Sequence, residues 1–528
     1  MKKANKIMSN VLALGMLGGV AFGVVGCGGK GGTEGVLSIA AFEGGNGNLY
    51  ATELANAFKK YHPDIDVSVL CDPTVPESAA TALESKSSNV DVYMVNGVNI
   101  GTLCENSQGA LMNLNDVFSS KPKTSADEGE KTIEQLIDAH LLPSMKYGGD
   151  FEEYAGNYYA IPTGSNPVGL VLNVSVLNDV LGEGNWSEPR TTNELIALCD
   201  AIQLADEKVQ VGTEQYQVYP MIYAGNAVEY WRYLWYCWQA QYDGAETFHE
   251  AQACKIDGAY NKDAYFSNGK AKAMNVLETL IARTNDYCHP DSMSNKHTVS
   301  QKYFMQGRAA MMVTGDWIEN ETGTEYTPDL KMIKAPILSD LADKLALTGT
   351  ATEKDNALAE IVSKIDAGET SDSRLDVDKF TVLASARQVV FTLANSQIAV
   401  IPSTSVNADL AKDFLRFMYS KEGFEIFLTS TKGSRLPVAD YTVPDTFVST
   451  MTTFGKSVKA IADTRPQYIY TNTNDPIRFR AGLEEFISSE QPEVAMGKST
   501  GAVSASAYLT TEKGLLDNMW SALMSQVQ

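Results

Sequence analysis

VLSIAAFEGGNGNLYATELANAFKKYHPDIDVSVL (Val36–Leu70) decides the fold. Val36 to Phe42 is a short apolar run that stops at the glycine-rich loop Glu43 to Asn48, and Leu49 to Tyr61 then places apolar residues at helical spacing. Beyond Pro63 the chain alternates apolar and polar residues to Leu70, as a strand does. Pro76 to Ser87 predicts a second helix, which leads into the strand Val90 to Val95. Repeated strand, helix and strand units predict an α/β fold with a parallel sheet covered by helices on both faces. Ligands of such sheets sit at the carboxyl ends of the strands, where the loops gather. Glu43 and Asn46 in the first such loop, and Asn96 and Asn99 in the loop after Val95, are therefore candidate ligand contacts. Turn-forming residues with no ligand would look the same.

Upstream of that unit the chain opens with Lys2, Lys3 and Lys6, runs through an apolar stretch from Val11 to Val25, and reaches Cys27. The stretch is about 15 residues, short of the roughly 20 that span a bilayer as a helix, and predicts a signal peptide over residues 1–26. Val24-Val25-Gly26-Cys27 resembles the lipobox of bacterial lipoproteins, which implies that Cys27 becomes the acylated N-terminus and holds the protein to the membrane through lipid. Residues 27–35 are expected to form a flexible tether. The formal charge is −23, and loss of the three leading lysines makes it −26. An acidic surface of this kind argues against nucleic acid as a partner, since phosphate binding needs clustered Lys and Arg.

Of the seven cysteines, six remain once Cys27 carries lipid: Cys71, Cys104, Cys199, Cys237, Cys254 and Cys288. Their spacing is long and irregular, so buried thiols are expected ahead of a disulfide framework. The five histidines do not cluster at ligand spacing, and no metal or cofactor is expected. Downstream, Thr191-Thr192-Asn193-Glu194 predicts a capped helix to about Ala205. Glu229 to Tyr242 is dense in aromatics, with Trp231 and Trp235 four apart on one helical face. Tyr303 to Trp317 predicts helix end, glycine stop, strand and turn. Leu338 to Lys379 is polar and predicts an inserted helical hairpin. The chain has no nucleophile elbow, metalloprotease signature or phosphate-binding loop. Its 65 acidic residues make chance carboxylate pairs unavoidable, and nothing local isolates one pair for glycoside hydrolysis. No catalytic residues are assigned.

The order of several further stretches carries a resemblance. FKKYHPDIDVSV (Phe58–Val69), DVYMVNG (Asp91–Gly97), YAIPTGSNPVGLVLNVSVL (Tyr159–Leu177), TTNELIALCDAI (Thr191–Ile202), YFMQGRAAMMVTGDWI (Tyr303–Ile318) and SVNADLAKDFLRFMYSKEG (Ser405–Gly423) together resemble the family 1 extracellular solute-binding proteins. Leu172-Asn173-Val174 departs from that family's usual Tyr-Asn-Lys, and the 338–379 stretch is longer than its simple members carry. The resemblance implies a periplasmic-binding-protein fold, in which two α/β lobes close over a ligand about a hinge. It implies an N-terminal lobe over residues 36–162 and 335–438, including the helical insertion, and a C-terminal lobe over 163–334 and 439–528. It implies a monomeric lipoprotein outside the cell that delivers a carbohydrate, expected to be an oligosaccharide, to the permease subunits of an ABC importer.

Sugars present apolar faces and hydroxyl rims, so aromatic planes and hydrogen-bonding side chains are the groups to look for. Trp317 in Gly315-Asp316-Trp317 matches the family's Gly-x-Trp. Trp231 and Trp235, Arg387 ahead of the apolar run Val389–Ala394, and Tyr468 and Tyr470 in the late C-terminal region complete the candidates. Three alternatives stay open at this point: the same fold binding a non-sugar polar solute, a lipid-anchored glycoside hydrolase, and a sensory or adhesive receptor.

Overall fold

A computed structural model describes residues 32–124, 129–434, 436–437, 440–484 and 490–527, without the Asn46 side chain. The expected signal peptide and Cys27 lie outside the described residues. Two sheets organise the chain. In the first, β1 (Val36–Phe42) pairs in parallel with β2 (Asp66–Asp72) and β3 (Val92–Val95). The helix Leu49–Lys59 crosses between β1 and β2 and buries Tyr50, Leu54 and Phe58. Phe58 meets Phe414 and Phe417 from the helix Ala408–Met418 with ring centroids at 5.5 and 5.8 Å, which ties the late part of the chain to this N-terminal lobe.

The end of the expected tether is held. Asn407 accepts from the Gly35 N–H at 3.0 Å and donates to the carbonyls of Thr33 and Val36. Asn407 is itself oriented by the buried carboxylate of Asp91, which also accepts from Ser38 and Ser405. Thr33 to Gly35, expected in the tether, are therefore bonded to the N-terminal lobe, because a buried Asn–Asp pair supplies partners for the backbone there.

β4 (Ile161–Pro162) is the edge strand on the far side of the first sheet, and the chain then crosses through residues 163–166 into β5 (Pro167–Asn173), the fully buried centre of the second sheet. The second sheet also holds β6 (Tyr219–Ile222), β7 (Ala309–Gly315), β8 (Leu330–Ile333), β9 (Val389–Thr392) and, after the chain has returned to the first sheet as β10 (Ile398–Val400), β11 (Gln467–Ile469). Strand order is β2-β1-β3-β10-β4 in the first sheet and β11-β9-β5-β7-β6 in the second, with β8 also paired to β5. β5 runs antiparallel to its neighbours β7, β8 and β9.

The expected return to the N-terminal lobe near Ala335 is corrected: residues 335–392 stay with the second sheet, and the crossing runs through 393–397. Pro336 and Ile337 look like a crossing because they are extended, but Ile337 is fastened to Arg190 and Thr192 by backbone hydrogen bonds of 2.7 and 2.9 Å. The helices that follow, Ala351–Asp366 and Val377–Gln388, enclose a small core of their own around Leu358, Ile361 and Phe380. They dock on the C-terminal lobe through Asp355, which accepts from Thr191 at 3.0 Å, and Ser363, which accepts from Arg190 at 2.6 Å. The insertion is therefore a C-terminal-lobe feature, and it extends to Gln388.

The crossing segments are bonded to one another. Leu393 N–H donates to Asn166 C=O at 3.1 Å, Thr163 N–H to Gln397 C=O at 3.0 Å, and Ser165 N–H to Leu436 C=O at 2.9 Å. The capped helix runs Thr192–Ala205, with Thr191 accepting from the Glu194 N–H at 3.1 Å. The six described cysteines are free thiols, five of them buried. No helix among the described residues is long and apolar enough to cross a membrane.

Candidate ligand-binding cleft

The carboxyl ends of β1 and β3 face those of β7 and β11 across the boundary between the lobes. β1 ends in Glu43 and a short 3-10 turn, Gly44–Asn46. A Cβ built on Gly45 would lie 2.1 Å from the Cβ of Trp317, so this turn seats directly on the tryptophan that follows β7. The Trp317 ring folds back over Gly315, where an added Cβ would be 2.1 Å from a ring carbon. Glycine at both positions is what lets backbone and ring approach so closely. Tyr230 meets Trp317 edge-on at 5.9 Å and stacks on Tyr233 at 5.1 Å. The Trp317 indole N–H is buried and has no hydrogen-bond partner among the described residues. The buried Trp231 indole N–H of the C-terminal-lobe core is open in the same way, so it is the place of Trp317 at the strand ends that makes it a candidate contact.

On the same flank Asn320 lies three residues beyond Trp317. Its amide nitrogen is within hydrogen-bond distance of Gly45 C=O (3.0 Å), Thr431 C=O (3.2 Å) and the Ser434 hydroxyl (2.8 Å), all from the N-terminal lobe. The other flank is built from the loop after β11. Asn99 caps the helix Ile100–Glu105 through its carbonyl and donates to Thr473 C=O at 3.0 Å, while Asn474 donates to Ser144 C=O at 2.7 Å. Tyr470 directly follows β11, its ring 4.5 Å from that of His249. Burial pushes the Tyr470 phenol up to about 12, with the Ser144 hydroxyl across the boundary pulling the other way.

His249 is held low, at about 4, by burial and then by His140 of the opposite lobe, while the Asp138 carboxylate raises His140. The unfolded His249 binds its proton near 6.5. Its neutral form therefore contributes stability that is complete above that value and is lost as pH falls toward 4, where the unfolded chain takes up the proton first. Melting the protein at pH 7 and at pH 5 should show an acid-induced drop that is smaller in His249→Gln; equal drops in the two proteins would remove His249 from the acid response.

Two cavities lie beside this region. One of about 650 Å³ runs along the crossing segment at Leu436 and Pro437 and is lined by Asp138, Tyr441 and Tyr468. It opens at the amino end of β11, and its cations are already paired: Lys131 and Arg465 with Asp440, and Lys459 with Asp463. The other, of about 590 Å³, lies beyond Asn320 and is lined by Glu319, Asp329 and Lys432. The boundary between the strand ends carries the open indole and the converging loops, and it is the candidate ligand site.

The structure brings the Glu43 loop together with Trp317 on one flank, and Asn99 together with the loop that follows Tyr470 on the other, with the half-buried Asn96 in the loop leading to Asn99. The Asn46 side chain lies outside the described residues. Tyr468 is buried, its hydroxyl close to Ser165 of the first crossing, and it lines the 650 Å³ cavity. Three candidates are corrected. Trp231 and Trp235 are inside the C-terminal-lobe core, 1% and 4% exposed, and Trp235 donates to the buried Glu493 at 2.8 Å. Arg387 is clamped by Asp366 at 2.8 Å and by the Ala335 carbonyl, on the helical insertion. Tyr230, His249, Asn320 and Asn474 were not among the sequence candidates. The polar run Thr471-Asn472-Thr473-Asn474-Asp475 directly after β11 was the available signal for the last of these.

The sequence pattern of the family described as bacterial extracellular solute-binding protein matches residues 53–452. No curated protein sequence matches the chain. Solved structures match it at low identity and nearly full length. An ABC substrate-binding protein of Listeria monocytogenes in complex with cycloalternan is 13% identical, with a TM-score of 0.56 over 92% of this chain and 99% of that one. The substrate-binding protein RafE in complex with raffinose is 13% identical, with a TM-score of 0.54 over 92% and 99%. A probable secreted solute-binding lipoprotein of Streptomyces coelicolor is 13% identical, with a TM-score of 0.56 over 91% and 98%.

Proposed function

The chain belongs to the bacterial extracellular solute-binding protein family, and on that premise we propose that it captures a carbohydrate between its lobes and delivers it to the permease of an ABC importer. The observation that carries this reading is the aromatic and polar boundary itself: a buried indole with an open N–H, an edge-on tyrosine, and amide and hydroxyl groups contributed by both lobes. Such a site suits a solute with apolar faces and a rim of hydroxyls. The raffinose and cycloalternan complexes of structurally similar proteins support the same class. Trp317, Tyr230 and Tyr470 supply the planes; Glu43, Asn96 and Asn99 supply the polar contacts. Binding without turnover is the role, since a receptor that hydrolysed its cargo would compete with transport. Lipid on Cys27 would keep this monomeric protein at the outer surface of the cell membrane beside its permease.

Thermal unfolding of the mature domain against mono- and oligosaccharides, polyamines and phosphorylated solutes tests this. A ligand specific to the folded state adds about 2.7 kcal/mol at a hundredfold excess over its Kd, which for a chain of this size raises the midpoint by about 2–3 °C. One sugar class should do so without being consumed, and Trp317→Ala should weaken it at least tenfold, read by titration of the folded variant because the buried ring also supports the core. Stabilisation only by non-sugars would replace the substrate class, and consumption of the sugar would end the receptor reading.

A further inference from the structure

We infer that Arg480, with Phe479 beside it, is a latch that holds the two lobes shut, and that its strength sets how fast a bound solute leaves. The effect on release rests on the reading of the boundary as a solute site; the latch itself does not.

The segment that carries the latch is fastened to the C-terminal lobe. Ile477 and Ala481 are buried with Leu516 and Leu523 of the final helix, Ala505–Val527. Arg478 donates to the Gln252 backbone carbonyl at 2.7 Å and to its side-chain oxygen at 2.8 Å. Asp475 accepts from Lys255 and Tyr260. Against that fixed base, Phe479 and Arg480 engage the other lobe. Phe479, the last residue of the helix Pro476–Phe479, packs on the N-terminal-lobe core, and a Cβ built on Gly101 would lie 2.4 Å from its ring. The Arg480 guanidinium grips Glu105 with two contacts of 2.6 Å and reaches Asp150 at 2.5 Å. Gly101 and Glu105 are four apart on the helix Ile100–Glu105, so one face of that helix receives both the ring and the cation.

A charge pair withdrawn from water is net favourable only where its remaining donors and acceptors are also met. Here they are: Arg480 donates to the Val527 carbonyl of its own lobe at 2.8 Å, and Tyr147 donates to Glu105. The Arg480 and Glu105 side chains are 13% and 7% exposed, so the two-pronged contact escapes the screening that makes exposed pairs weak. The loop leading to it is tied along its length. The Thr471 carbonyl accepts from Asn395 of the crossing segment at 3.0 Å, the Thr473 carbonyl from Asn99 at 3.0 Å, and Asn474 donates to Ser144 at 2.7 Å. Arg480 is the last of these ties counted along the chain from the crossing. Parting the lobes breaks its contacts with Glu105 and Asp150 while the Val527 contact, within one lobe, stays. An interaction made only in the shut state shifts the open–shut equilibrium, and it appears mainly in the rate at which solute leaves.

Energy transfer between labels on the two lobes of the unliganded mature chain, followed by stopped-flow release of the sugar class found by the melting panel, tests this. In Arg480→Ala, and separately in Glu105→Gln, the open population should grow and solute should leave about tenfold faster or more. Glu105→Gln keeps the side-chain volume and answers alone should Arg480→Ala fail to fold. The double variant should release solute within about twofold of the faster single one, because both substitutions cut the same contact. Effects that multiply in the double variant would mean that each residue acts within its own lobe, and would overturn the latch. Interlobe distance and release rate unchanged in the folded single variants would overturn it as well. Binding of no saccharide overturns the carbohydrate reading and leaves the interlobe distance to decide the latch.

Discussion

Gly45→Leu should bind its solute about 10- to 100-fold more weakly than the wild type while unfolding at nearly the same temperature. The 3-10 turn at Gly45 belongs to the N-terminal lobe and Trp317 to the other, and a Cβ on Gly45 would sit 2.1 Å from the Trp317 Cβ and 3.3 Å from its Cα. Those are the rigid root of the side chain and the backbone, not a flexible tip that could swing aside. Relief has to come from moving the lobes apart. Overpacking of this kind costs about 1–3 kcal/mol. Because only the closed state carries it, the cost appears in ligand affinity at tenfold per 1.4 kcal/mol. The clash lies where the turn meets Trp317, outside the strands of either sheet, so melting of the unliganded protein should change little. Titration of the solute, with interlobe distance followed by energy transfer between labels on the two lobes, separates the cases. An unchanged affinity with unchanged interlobe distance would mean that Trp317 and Gly45 do not set the closed geometry.

How much of this was legible in the sequence follows from the range of the interactions. β1, β2 and β3 came from local alternation and the glycine loop, because a strand end and a helix start are both written within a few residues. The first crossing was visible as an extended proline segment at Pro162. The same signal at Pro336 misled, because an extended proline segment can be fastened within a lobe as well as span two. What decides is the pairing of Ile337 with Arg190 and Thr192, more than 140 residues away in the chain. The aromatic stretch was ambiguous for a different reason. Spacing four apart identifies a shared helical face but not its surroundings, and the helix Arg232–Asp243 buries residues on every side, Trp238 and Cys237 as well as Trp235. The close packing of Trp317 on Gly315 is a local feature, because glycine and tryptophan at the end of a strand constrain each other within three residues. Asn320, Asn474 and Arg480 gain their roles only when the lobes meet, and no periodicity within either lobe records that.

Removing one carboxylate far from the cleft should have the largest effect on stability. Lys270 and Glu512 form an ion pair of 2.8 Å between the helices Asn268–Ile281 and Ala505–Val527, with side chains 4% and 6% exposed. The ammonium also sits 3.5 Å from the centre of the Tyr265 ring. Taking away one partner of such a pair strands a buried charge, and Glu512→Ala should cost about 3–5 kcal/mol. Lys270→Met combined with Glu512→Leu should recover most of that, since an apolar pair of similar volume has no charge to desolvate. The sign with pH follows from the lysine. Burial holds folded Lys270 below its ordinary value, so the unfolded chain binds more protons between the two values and stability rises with pH there. The deficit of Glu512→Ala should accordingly narrow as the solution is made alkaline toward about 10.4. Denaturant unfolding at pH 7 and pH 9.5 measures both effects, and a loss under about 1 kcal/mol, or a deficit that widens with pH, would refute the pair's role. The carbonyl of Val527, at the end of the same helix, accepts from Arg480 at 2.8 Å, and Arg480 pairs with Glu105 of the N-terminal lobe at 2.6 Å. A loosened final helix withdraws one support from the arginine that ties the lobes, so Glu512→Ala should also raise the rate of solute release, which the double apolar variant should restore.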